Sequence, residues 1–137
     1  MEHLGRHVII ELWGCSDAIN DAEQVKTAML DAVRAANATL LNIYVHTFSP
    51  QGVTGVAVLS ESHLSIHTWP EHGYVAADVF TCGTTTNPQR AAEVLRNAFC
   101  AKQAEVRELE RGVAPSPKPS AKVSTKSART SKLAACH

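Results

Sequence analysis

The chain is poor in aromatic residues, 5% of its 137 positions, and poor in the patterns that would place it in a membrane or outside the cell. No apolar run approaches the ~20 residues that a membrane-spanning helix needs. The N-terminus lacks the basic-then-apolar order of a secretory signal, so a cytoplasmic protein is expected. Four cysteines, Cys15, Cys82, Cys100 and Cys136, lie far apart without a Cys-x-x-Cys pair. That spacing argues against a disulfide framework and against a zinc ribbon, and Cys15 and Cys100 read as small buried hydrophobes. A Gly-x-Ser-x-Gly elbow is also absent, so Ser62, although followed by His63 and His67, lacks the sharp turn usual for a hydrolase nucleophile.

What is present describes one soluble domain followed by a different material. Hydrophobic residues make up 45% and charged residues 19% of the chain, enough for a single core at this length. The net charge is zero but unevenly divided. Lys118, Lys122, Lys126, Arg129 and Lys132 follow Gly112 without an acid, so 8 of the 13 bases and all 13 acids fall in residues 1–111. With Pro115, Pro117 and Pro119 and no bulky periodicity, residues 114–137 cannot bury enough apolar surface to offset ordering, and a basic disordered tail is expected there. A solvated extension is preferred over a nucleic-acid contact for this tail. The domain proper is expected to span residues 1–113.

Within the domain, periodicity alternates between two and 3.6. His7 to Trp13 reads as a strand apolar on both faces. Ile19, Ala22, Val25, Met29, Val33 and Ala36 mark a helix with one buried face, entered at Ser16 or Asp17. Strands follow at 40–48, 53–59, 64–69 and 74–81, with Gly55 marking a close backbone approach. Asn87 and Pro88 open a second helix whose apolar face is Ala91, Val94, Leu95, Ala98 and Phe99, and 104–111 reads as a charged edge strand. The order β-α-β-β-β-β-α-β predicts an α+β fold, a two-layer α/β sandwich with a mainly antiparallel sheet and two helices on one face. The other face, carrying Tyr44, His46, His67 and Trp69, then needs solvent or a partner, and a homodimer is expected.

The wording of one stretch is more specific than any of this. Glu61-Ser62-His63-Leu64-Ser65-Ile66-His67-Thr68-Trp69-Pro70-Glu71 resembles the self-processing segment of bacterial and archaeal-type pyruvoyl-dependent S-adenosylmethionine decarboxylases, and Asp78-Val79-Phe80-Thr81-Cys82-Gly83 resembles that family's second signature. Leu4 to His7, Phe48 to Val56 and Val106 to Leu109 match as well, so the resemblance covers roughly residues 1 to 113.

The resemblance implies a self-made cofactor. Decarboxylating an α-amino acid leaves a carbanion that no side chain absorbs, so an electron sink is required. Ser62 Oγ would attack the Glu61 carbonyl to form an ester. β-Elimination would free Glu61 as a new C-terminus and leave dehydroalanine at 62, which loses ammonia to become a covalently bound pyruvoyl group. Chains of residues 1–61 and 62–137 would result. By matching position His67 is the processing base, Thr54 stands where the family commonly has serine and is a possible processing aid, and Cys82 returns the proton in decarboxylation. Glu71 matches a ribose-hydroxyl acceptor and Phe48 an adenine platform. Trp69 reads equally as core or as site. S-adenosylmethionine would be the substrate, bound through its amine as a Schiff base, and its product the aminopropyl donor for spermidine synthesis. A pyruvoyl-dependent arginine or ornithine decarboxylase of the same fold, and an unprocessed non-catalytic homologue, are the alternatives. His63 is read as support for the turn. A zinc site from His63, His67, His72 and Cys82 fits no common spacing, and no metal is expected.

Overall fold

The computed structural model describes residues 3–60 and 62–115. The 114–137 tail lies almost wholly outside the described residues, as does Glu61. Strand β1 (Gly5–Trp13) leads through a short 3-10 turn into helix α1 (Ala22–Ala35). Strands β2 (Leu40–Thr47), β3 (Val53–Leu59), β4 (Ser62–Trp69) and β5 (Tyr74–Cys82) follow, then helix α2 (Pro88–Ala98) and strand β6 (Gln103–Arg111). The six strands form one sheet in the order β2-β3-β4-β5-β1-β6, and every neighbouring pair is antiparallel. This is the two-layer α+β arrangement that the periodicity predicts.

Alternation along the strands explains the layers. Val8, Ile10 and Leu12 of β1, Leu64 and Ile66 of β4, and Val75, Ala77 and Val79 of β5 are buried, together with Val25, Met29 and Ala32 of α1 and Ala91 and Leu95 of α2. Both helices therefore cover one face. Gly55 fits the same packing, because a Cβ there would stand 2.5 Å from the Met29 sulfur. The opposite face bears Trp13, Tyr44, Val56, Val58, Trp69 and Leu109, all exposed. Strand β6 is exposed along its whole length, as its charges suggested. Among the described residues no helix is long and apolar enough to cross a membrane.

Three local expectations are corrected. Ser16 caps only the 3-10 turn Asp17–Asn20. The α-helix starts at Ala22 under Asp21, whose Oδ1 accepts from the backbone of Glu23 at 2.9 Å and Gln24 at 3.2 Å, two donors satisfied where Ser16 satisfies one. Asn87 does precede α2, but its side chain makes no capping hydrogen bond. Cys100 is exposed rather than buried, because it takes a left-handed conformation, φ 52°, just past the end of α2, where the chain turns away from the core.

Candidate active site

Residues Leu59 and Ser62 pair across β3 and β4, so Ser62 is the first β4 residue after the short hairpin connection between these strands. Such a turn is the part of a sheet that can be cut without removing a core contact. The register of β4 against β5 pairs His63 with Phe80. One step further toward the turn Ser62, which opens β4, falls opposite Thr81, and Cys82 closes β5 one residue beyond, at the same end of the sheet. Ser62 and Cys82 thus share one end of the structure.

His67 does not join them. It lies five residues along β4 from Ser62, roughly 16 Å at ~3.3 Å per residue, and an odd separation in a strand directs the two side chains to opposite sides. His67 is instead paired with Thr54, and Thr54 Oγ1 lies 3.1 Å from His67 Nδ1. Around this pair the open face is aromatic. The His67 and Trp69 rings are 6.4 Å apart, Trp69 and Tyr74 5.2 Å, and Tyr74 stacks on Trp13 at 4.3 Å. Trp69 is therefore on the open face and not in the core. Phe48, just beyond β2, meets His46 edge-on at 4.6 Å, and His46 is the β2 partner of Thr54. Glu71, exposed in the turn Pro70–His72, accepts from Gln51 Nε2 at 3.2 Å. Gly73 ends that turn at φ 60°, a conformation glycine adopts without a Cβ clash.

The candidate residues therefore fall into two groups. One, at the start of β4, holds Ser62 and Cys82; the other, at its far end, holds Thr54, His67, Trp69, Phe48 and Glu71. The four residues weighed for zinc are split between them.

A polar network unnoticed in the sequence borders the first group. Asp78 Oδ2 lies 2.6 Å from His7 Nε2 and 2.9 Å from His63 Nε2, and Oδ1 accepts from the Ser65 hydroxyl. Arg111 Nη1 meets His7 Nδ1 at 2.8 Å. A guanidinium can only donate, so Nδ1 of His7 accepts and its Nε2 carries the hydrogen given to Asp78. His7, His63 and Asp78 are close enough to hold a metal ion, but this proton assignment occupies the nitrogen that would ligate, and the set reads as a hydrogen-bonded cage. The cage positions the residue next to Ser62. Only the identity of Asp78 within its signature pointed to it; its partners His7 and His63 belong to other strands.

Burial pushes the Asp78 carboxyl up, but hydrogen bonds from Ser65, His7 and His63, with the charge of His63, outweigh this and hold it below its ordinary value. Because its folded value is depressed, its contribution to stability is full above the ordinary aspartate value of about 3.9 and is lost as pH falls through the folded value. Asp78→Asn should cost about 1–3 kcal/mol at neutral pH, and urea midpoints taken from pH 7 to 3 should fall less steeply for the variant. Parallel curves would show that Asp78 is not the titrating group.

The S-adenosylmethionine decarboxylase family model matches residues 6–112. The S-adenosylmethionine decarboxylase proenzyme of Thermomicrobium roseum is 55% identical over 114 residues, which is 82% of this chain and 97% of that protein. The proenzyme of the same name from Methanococcus maripaludis is 50% identical over 82% of this chain and 93% of its own length. The crystal structure of the adenosylmethionine decarboxylase from Aquifex aeolicus superimposes with a TM-score of 0.78 at 33% identity, covering 88% of this chain and all of that one. Family match and relatives together define a decarboxylase. The chain belongs to the S-adenosylmethionine decarboxylase family.

Proposed function

We propose that this chain decarboxylates S-adenosyl-L-methionine to the aminopropyl donor of spermidine synthesis, using a pyruvoyl group that it makes by cleaving itself between Glu61 and Ser62. The observation that carries the reading is the position of Ser62 in the β3–β4 hairpin, at the same end of the sheet as Cys82. Relatives at about half identity that bear the name proenzyme support it.

The surroundings of Ser62 fit such a group. A turn position lets the new ends separate after cleavage, while β3 and β4 stay paired through Leu59, Val58 and their partners. The pyruvoyl carbonyl would supply the electron sink for loss of carbon dioxide. The rest is the work of side chains. Cys82 holds the proton that returns to the substrate Cα. Glu71 accepts from the ribose hydroxyls, Phe48 stacks on adenine, and Trp69 and Tyr74 offer π-faces to the sulfonium, worth ~0.5–2 kcal/mol.

His67 and Thr54 act on the scissile bond of a second copy. In one protomer they stand at the wrong end of β4 for Ser62, and the open sheet face carries exposed Trp13, Tyr44, Val56, Val58 and Trp69, an apolar surface suited to self-association. A two-fold pair packed through this face would bring the His67 end of each strand toward the Ser62 end of the other, giving two equivalent sites.

Substrate choice is tested by competition with carboxyl-labelled amino acids. S-adenosylmethionine should release carbon dioxide with a kcat/KM at least ~100-fold above that of arginine or ornithine, since a site built for ribose and adenine leaves its polar groups unpaired with smaller substrates. Comparable release from arginine or ornithine would transfer the chain to that activity. Cys82→Ala should still cleave but lose decarboxylation by ~100-fold or more, with the cofactor converted by protonation at the wrong carbon. Equal loss of cleavage and turnover would remove Cys82 as a dedicated acid.

A further inference from the structure

Cys15 follows the end of β1, and Cys100 follows the end of α2. The backbone N–H of Ser16 donates to the Phe99 carbonyl at 2.9 Å, and the N–H of Lys102 donates to the Trp13 carbonyl at 2.9 Å. These two hydrogen bonds lie beyond the last β1–β6 pair, Trp13 with Gln103, and hold the segment that follows β1 against the segment that follows α2. A single N–H···O=C bond joins the peptide unit that leaves Cys15 to the one that enters Cys100. That one bond keeps residues 15 and 100 close together, and the two thiols are near enough to interact electrostatically, the proximity that a disulfide requires. The left-handed backbone at Cys100, φ 52°, occupies a helix-ending position usually given to glycine or asparagine.

We infer that Cys15 and Cys100 are a site of reversible covalent modification, closing to a disulfide by exchange with a small-molecule disulfide. Their exposures assign the order of events. Cys100 is exposed and Cys15 half-buried against the core. Burial, with the neighbouring Cys100, pushes the Cys15 thiol up to about 11, so Cys15 is the poorer attacking thiolate. The Cys100 thiolate attacks the reagent R–S–S–R, forming a Cys100–S–S–R mixed disulfide and releasing one R–S⁻. Cys15, losing its proton to solvent, then attacks the Cys100 sulfur and expels the second R–S⁻. Two protein thiols are oxidised and one external disulfide is reduced to two thiols.

The bridge has a particular consequence if the proposed cleavage occurs. Cys15 lies before the Glu61–Ser62 bond and Cys100 after it, so the disulfide would tie the two product chains together covalently. It would also brace the turn after Trp69, since the Cys15 N–H donates to the Gly73 carbonyl at 2.9 Å.

The test is exposure of the reduced full chain to excess oxidised glutathione, followed by peptide mapping without reductant. A peptide pair joined through Cys15 and Cys100 is expected, with the protein two hydrogens lighter and free of retained glutathione. Cys15→Ser should keep a glutathione adduct at Cys100, and Cys100→Ser should leave Cys15 unmodified. Ser62→Ala should form the same bridge within an uncut chain, which separates this inference from the cleavage reading. A stable adduct on Cys100 beside a free Cys15 in the wild-type chain, or a bridge from Cys100 to Cys82 or Cys136, would overturn it.

Discussion

Ser62→Ala should yield a protein that never cleaves and never decarboxylates, while melting close to the uncleaved wild-type chain. The reason is chemical and all-or-none. Without Oγ no ester forms at Glu61, and without the ester there is no elimination and no carbonyl at position 62. The side chain itself is small and at a hairpin edge, half-buried, so its loss as packing should cost within about ±0.5 kcal/mol. Intact mass under denaturing conditions separates the two effects: one species for the variant, two for the wild type. Residual decarboxylation by a verified uncut Ser62→Ala chain would mean that the electron sink lies elsewhere.

The second large effect is a rescue. His67→Ala alone should slow cleavage by ~100-fold or more, the usual worth of a positioned base, and Ser62→Ala alone should abolish it. When the two variants are co-expressed with the Ser62→Ala chain in excess, most His67→Ala chains pair with a partner that still has His67. The His67→Ala chain, which keeps its Ser62, should then be cut at a rate approaching that of the wild type. The expectation rests on geometry within one protomer: residues 62 and 67 lie on one strand, an odd number of steps and roughly 16 Å apart. A His67→Ala chain that stays whole in the mixture would place base and nucleophile in the same subunit and remove the shared site.

That separation was not legible in the sequence, because alternation predicts this strand only over 64–69 and leaves Ser62 outside it, whereas β4 begins at Ser62. The helical layer was legible in the sequence: Val25, Met29 and Val33 repeat at helical spacing, and each is buried. The cage around Asp78 was not legible. Its contacts join residue 78 to residues 7 and 63, and the register of three strands that places them together is set by the whole sheet. The same holds for Cys15 and Cys100, far apart in sequence and brought together by backbone hydrogen bonds between the segment after β1 and the segment after α2. Cap assignment failed at Ser16 because Ser16, Asp17 and Asp21 are all good capping residues, and only packing decides which of them faces a helix.

The central claim is that residue 62 becomes the group that takes hold of the substrate amine. Borohydride added while the wild-type enzyme turns over labelled S-adenosylmethionine tests it most directly. Label should become covalently fixed at residue 62, the first residue of the chain running to His137, and nowhere else. Label fixed on a lysine, or no label on a chain that remains uncut through Glu61 and Ser62, would contradict the account.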